Sequence, residues 1–232
     1  MEELHRTLLE VGFAAGADLG LVLAGGYALT EHGLLEHASR DIDFATATTL
    51  PLPVVASRLA TAYHDAGYAA RIVETTARMA RLLVSTGSAE CEVDILKEAI
   101  GPPAQLRVGP VLAIDDAVGL KLRALHERAA HRDYVDVHAA SSRYAWSELE
   151  ALGARHTSGF SLVELAERLA GIGELVGDGF DRYGLDEAAV SELLRWAIAW
   201  EADIRARLAA GETGPAARAD DGEWDAYLDP PG

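Results

Sequence analysis

Asp41 and Asp43 stand two positions apart in Ser39-Arg40-Asp41-Ile42-Asp43-Phe44, where charged and apolar residues alternate. A period of two marks a half-buried strand, so both carboxylates project from one of its faces. Two adjacent carboxylates repel, and burying them together is unfavourable unless a cation lies between them. A hard divalent ion such as Mg²⁺ (or Mn²⁺) takes such oxygen ligands, usually one or two carboxylates completed by substrate phosphates. Upstream, Gly25-Gly26 ends the apolar stretch Leu21-Val22-Leu23-Ala24. Glycines lack a Cβ and let backbone N–H groups approach a phosphate, and the positive end of a following helix points at the same place. An isolated Asp-x-Asp is as readily a solvated strand face. The diglycine turn fifteen residues before Asp41, with Ser39 two before it, favours the site.

A second group lies in Lys121-Leu122-Arg123-Ala124-Leu125 and Arg132-Asp133-Tyr134-Val135-Asp136. Asp136 follows Lys121 by fifteen residues. On one continuous helix the two would be roughly 60° apart around the axis but roughly 20 Å apart along it. They meet only if the helix breaks, and Ala129–His131 is the expected place. Lys121 is then a phosphate-neutralising cation, and Asp136 or Asp133 orients it or binds the second substrate. The competing reading of both aspartates is charge at a helix start, stabilised by the helix dipole. Only Lys97 and Lys121 are lysines among 20 basic residues, which suggests that a compact point charge is needed there.

These blocks, in this order, resemble the polymerase-β-type nucleotidyltransferases, and specifically the AbiEii/AbiGii toxin family. That family carries a diglycine, a helix, S-x-D-x-D and a later K…R-D-x-x-D. Ser39 to Asp43 and Lys121 to Asp136 match these motifs over about residues 20–140. Asp94, in Glu92-Val93-Asp94-Ile95-Leu96, stands at the third acidic strand position of that fold. Where the family often has an arginine two positions before the motif serine, this chain has His37. The resemblance implies NMP transfer from an NTP to an acceptor hydroxyl, with release of pyrophosphate. It implies Asp41, Asp43 and Asp94 as ligands of Mg²⁺ or Mn²⁺, with Asp94 also helping to deprotonate the acceptor. Gly25, Gly26, Ser39, Lys121 and Asp133 would contact the NTP, and Lys121 and Asp136 would join the aspartates as catalytic groups. Similarity to mycobacterial tRNA nucleotidyltransferase toxins implies a tRNA 3′ end as acceptor, a cognate antitoxin as partner, and a type IV toxin–antitoxin role in a bacterium. The rival readings are nucleotidylation of a small molecule such as an antibiotic, and an inactive fold serving as a binding module.

The elements that must position these residues can be read from periodicity. Residues 2–17 predict an amphipathic helix, 21–24 a short buried strand, 27–36 a helix, and 41–45 the Asp-x-Asp strand. A helix follows at 54–66, then strands at 70–75, 79–86, 91–96 and 111–114. The step Thr86-Gly87-Ser88 joins two of these strands as a hairpin. Gly101-Pro102-Pro103 breaks the pattern and is expected to mark a subdomain edge. Asp115 is expected to cap a helix through Lys121. Helices are predicted at 147–156, 161–171 and 186–209. The fold class is α/β (α+β): a polymerase-β-like core with a mixed sheet, and a helical C-terminal part. The expected division is 1–105 for the core, 106–210 for the helical region and 211–232 for a mobile acidic tail, whose Trp224, Tyr227 and Leu228 could dock.

Composition is that of an ordinary globular chain, with 50% hydrophobic and 25% charged residues, which excludes bulk disorder. No apolar run reaches the roughly 20 residues that a membrane helix needs. The N-terminus lacks the basic start and apolar block of a signal peptide, and one cysteine, Cys91, cannot form an internal disulfide, so a cytoplasmic location is expected. A net charge of −17 argues against a general nucleic-acid coat. The charge is uneven: residues 151–232 carry −9 and residues 1–150 carry −8 over nearly twice the length. Within the latter lies an island of Lys121, Arg123, Arg128, Arg132 and Arg143, the expected RNA contact. Arg78 and Arg81 are either phosphate contacts or solvated strand charges. His126, His131 and His138 form no recognisable zinc motif, and Trp196 and Trp200 read as helix packing.

Overall fold

The computed structural model describes residues 2–35, 39–87, 89–175 and 179–217, in two compact units divided between Ile114 and Asp115. The first unit holds helices α1 (Glu3–Ala15), α2 (Gly25–Glu31) and α3 (Leu52–Asp65). Its strands are β1 (Val22–Leu23), β2 (Ile42–Thr46), β3 (Ala69–Thr75), β4 (Met79–Ser85), β5 (Glu90–Lys97), β6 (Ala104–Leu106) and β7 (Gly109–Val111). They form one mixed sheet in the order β3-β4-β5-β2-β1-β7-β6, with β2–β5 and β1–β7 parallel and the other pairs antiparallel.

Alternation sorts the sheet into two faces. Ala80, Leu82 and Val84 of β4 and Cys91, Val93 and Ile95 of β5 are buried with Phe44, while Arg81, Glu92, Asp94 and Asp43 take the alternate positions. Helix α3 packs on β3, β4 and β5, and α1 packs on α3. Leu8, Leu9, Val55, Leu59 and Tyr63 are fully buried, and the Tyr63 hydroxyl donates to the Leu8 carbonyl at 3.2 Å. Gly12 permits the close approach of α1, because a Cβ there would come within 2.5 Å of the Phe44 ring.

The second unit is helical: α4 (Ile114–Glu127, entering it at Asp115), α5 (His131–Ala140), α6 (Trp146–Ala154), α7 (Leu162–Ala170) and α8 (Glu187–Ala209). Apolar residues at helical spacing, among them Leu122, Leu125, Leu149, Leu165, Leu169, Leu193 and Trp200, form its core. Charged side chains are buried there too, Glu150 among them. Glu150 is 1% exposed and accepts from Trp200 Nε1 at 2.9 Å and from Arg207 at 2.5 and 3.1 Å. Trp200 and Trp196 are 5.3 Å apart, and Trp146 stacks on Trp200 at 6.0 Å, so these rings are packing groups.

The α/β class with a mixed sheet and helical C-terminal part is as predicted, and the elements fall close to their expected places. The differences have local causes. The diglycine is the first turn of α2 rather than a turn before it, and Gly33, at φ +73, ends the helix early. Asp115 lies in the first turn of α4 instead of capping it, and accepts from the Tyr144 hydroxyl at 2.8 Å. After Gly101-Pro102-Pro103 the chain returns to the sheet edge as β6 and β7. The first of these was not expected, and the second begins two residues before the expected strand. His37, Ser88, Trp224, Tyr227 and Leu228 lie outside the described residues.

Candidate active site

Ala24 ends β1 in extended conformation, and its N–H donates to the Asp43 carbonyl at 2.8 Å, tying the diglycine to the Asp-x-Asp strand. Gly25 then turns into α2 at φ +60, a conformation costly for any residue with a Cβ. The Asp43 carboxylate lies directly against it. A Cβ on Gly25 would stand 1.7 Å from Asp43 Oδ2. On Gly26 it would come to 3.0 Å from Ser39 Oγ. Ser39 in turn donates to Asp41 Oδ1 at 2.7 Å. The motif residues Gly25, Gly26, Ser39, Asp41 and Asp43 thus form one packed cluster. Asp43 is 6% exposed.

Parallel pairing of β2 and β5 places Asp94 opposite Asp43. Antiparallel pairing of β4 and β5 places Arg81 opposite Asp94. The Arg81 guanidinium grips Asp94 with both arms, Nε to Oδ1 and NH2 to Oδ2, each at 2.7 Å, and its third nitrogen lies 3.2 Å from Glu92. The bidentate bond to Asp94, with the charges of Glu92 and Asp41 behind it, raises the Arg81 pKa well above that of a free arginine. Sequence reading placed Arg81 either on a phosphate or in solvent; its observed partner is Asp94. Among the described residues no three Asp, Glu, His or Cys side chains are arranged as a metal cage. The donor set nevertheless suits a hard divalent ion. Asp41 and Asp43 supply two carboxylates beside a cleared backbone, which is the usual protein share of a Mg²⁺ site when substrate phosphates complete the shell.

Behind α2, Tyr27 and His5 are both buried and joined at 2.6 Å. Burial pushes the Tyr27 phenol up to about 12 and lowers the His5 pKa, so both are neutral at pH 7.

In the second unit, α4 ends at Glu127 and α5 starts at His131, with Ala129 at φ +50 between them. This is the break that the helical geometry required. It brings Lys121 Nζ to 2.7 Å from Asp136 Oδ2, with both side chains under 10% exposed. Asp133 has a different setting. It is 0% exposed, accepts from Arg128 at 2.8 and 2.9 Å, and accepts from the Ala130 N–H at 3.0 Å. It therefore caps α5 and fixes the break, the helix-start reading of this residue. Within the basic island, Lys121 and Arg128 are thus engaged in ion pairs. Arg123 and Arg132 are half-buried, and Arg143 is exposed just beyond α5. His126 accepts from the Ser161 N–H at 3.2 Å and stacks on Phe160, while His138 packs on Trp196.

Solved structures share this architecture. The chain covers 90% of its length against JHP933 from Helicobacter pylori and 97% of that protein, at 19% identity and a TM-score of 0.55. It is similar to MenT4, a nucleotidyltransferase toxin from Mycobacterium tuberculosis, over 97% of this chain and 91% of that one, at 16% identity and a TM-score of 0.51. At these identities the likeness establishes the fold. No curated protein sequence matches it. The model of the nucleotidyl transferase AbiEii toxin family, of type IV toxin–antitoxin systems, matches residues 8–229. The protein is therefore a nucleotidyltransferase belonging to the AbiEii toxin family.

Proposed function

We propose that the protein transfers a nucleoside monophosphate from an NTP to an acceptor hydroxyl with the help of a divalent cation, and that the acceptor is the 3′ end of tRNA. The observation that carries the reading is the approach of the Asp43 carboxylate to the Cβ-less Gly25, beside Ser39-bound Asp41. Such packing keeps two carboxylates fixed at a backbone able to approach phosphate. The acceptor oxygen forms a bond to the α-phosphorus, the α–β bridging bond breaks, and pyrophosphate leaves. A bound Mg²⁺ or Mn²⁺ would neutralise charge building on the phosphate oxygens. Asp41 and Asp43 would hold the ion, and Asp94, once released by Arg81, would join them and accept the hydroxyl proton. Lys121 neutralises phosphate charge while Asp136 holds its ammonium in place. The family name supports a toxin role with a cognate antitoxin as partner.

Incubation with each α-labelled NTP, Mg²⁺ or Mn²⁺ and total tRNA tests the proposal. Labelled tRNA with one NTP, abolished by EDTA, is the expected result, and no labelled RNA under any condition refutes it. A second reading, a small hydroxylated acceptor, is favoured by the net charge of −17 and by the engagement of Lys121 and Arg128 in internal ion pairs. Arg143→Glu separates the two. It weakens labelling of tRNA and leaves NTP binding unchanged if RNA contacts this face, and leaves transfer to a small hydroxylated acceptor unchanged if the acceptor is small.

A further inference from the structure

We propose that Arg81 is a positioning residue that withholds Asp94 from the divalent cation until nucleotide arrives, so that the resting protein carries a two-carboxylate rather than a three-carboxylate site. The inference rests on the metal-binding reading of Asp41 and Asp43 and adds to it a competitor built into the sheet. Arg81 and Asp94 face each other across the β4–β5 ladder, so their encounter is fixed by strand register. The guanidinium takes both carboxylate oxygens at 2.7 Å, a planar, two-pronged geometry that a lysine could not reproduce. Glu92, two residues before Asp94 on the same strand face, braces the guanidinium from the other side at 3.2 Å. Both Asp94 oxygens are thereby committed, although Asp94 stands beside Asp43 in the β2–β5 pairing. This accounts for the lack of a three-carboxylate cage among the described residues. A cation recruiting Asp94 must compete with two charge-assisted hydrogen bonds and with the guanidinium charge. The guanidinium so released stays close to a site that binds a polyphosphate, an anion suited to the same fork.

The test is Mn²⁺ binding to the full chain without nucleotide, read from the electron paramagnetic resonance signal of free Mn²⁺. Arg81→Gln is expected to tighten binding roughly ten- to a hundredfold, the worth of a hydrogen-bonded charge pair no longer opposing the metal. Arg81→Lys should fall between that variant and the wild type. Arg81→Gln/Asp94→Asn should lose the gain. Arg78→Gln, which removes an arginine from the turn before β4, controls for a simple change of field. The proposal is overturned if Arg81→Gln binds as the wild type does, if Arg78→Gln produces the same gain, or if the gain survives in the double variant. Unaltered binding by Asp41→Asn and Asp43→Asn is a separate result: it removes the metal-site reading itself, whatever Arg81 does.

Discussion

Replacing Gly25 by alanine should reduce metal-dependent transfer by about 10²-fold while leaving the protein folded. Two effects act at this position. The first is backbone strain: φ +60 costs a non-glycine residue roughly 1–2 kcal/mol. The second is collision. The new Cβ would stand 1.7 Å from Asp43 Oδ2, whereas real contacts of this kind stay beyond 3.0 Å, so the carboxylate must retreat by at least 1.3 Å. A misplacement of about 1 Å in a catalytic constellation costs on the order of 10²-fold in rate. Gly20 separates the two effects. Its φ is +61, and nothing lies within 4 Å of its Cβ position. Gly20→Ala should therefore lose a few degrees in Tm from strain alone, since 1 kcal/mol is worth about 2–4 °C at this chain length, and Gly25→Ala at least as much. Only Gly25→Ala should lose Mn²⁺ affinity and about 10²-fold in transfer of labelled NMP to total tRNA. Transfer by Gly25→Ala within a few-fold of wild type, or an equal loss in Gly20→Ala, would refute the argument that Asp43 needs that empty volume.

Asp41→Ala and Asp43→Ala should each reduce NMP transfer by about 10²–10³-fold or more with an unchanged circular dichroism spectrum; wild-type rates in either would remove the carboxylates from the chemistry. Lys121→Ala leaves Asp136 buried without its cation and should cost about 3–5 kcal/mol in urea unfolding, whereas Lys121→Met/Asp136→Leu should be near neutral in stability and still inactive. Activity in that double variant would place the pair in the fold alone. His5, His126 and His138 all have pKa values lowered by burial. The unfolded chain then binds protons first as pH falls through the ordinary histidine value of about 6.5, so stability is full above that pH and declines below it. Urea midpoints that stay flat from pH 7.5 to 5 would contradict this.

What could be read in the sequence, and what could not, follows chain distance. Asp41, Asp43, Ser39 and the diglycine announce themselves because strand alternation and a missing Cβ are local facts. The meeting of Lys121 with Asp136 was also accessible, because fifteen residues of unbroken helix would have kept them apart. The pairing of Arg81 with Asp94 was not read, since it is set by the register of a hairpin. Counting outward from the turn after Thr86 would have placed it opposite Asp94, as Ser85 is placed opposite Glu90. The split task of the R-D-x-x-D block was hidden for another reason. Both aspartates follow a helix start, and only their partners show that Asp133 serves the break while Asp136 serves the lysine. Strand β6 is three residues long beside prolines, too short for any periodicity to appear.

The Glu150 cluster bears on how the second unit is made. Its carboxylate emerges with α6, but the arginine that neutralises it arrives 57 residues later, near the end of α8. A nascent chain that has not yet delivered Arg207 can close this core only around an uncompensated charge, which is strongly unfavourable. Docking of the last helix is therefore tied to completion of the chain through residue 207.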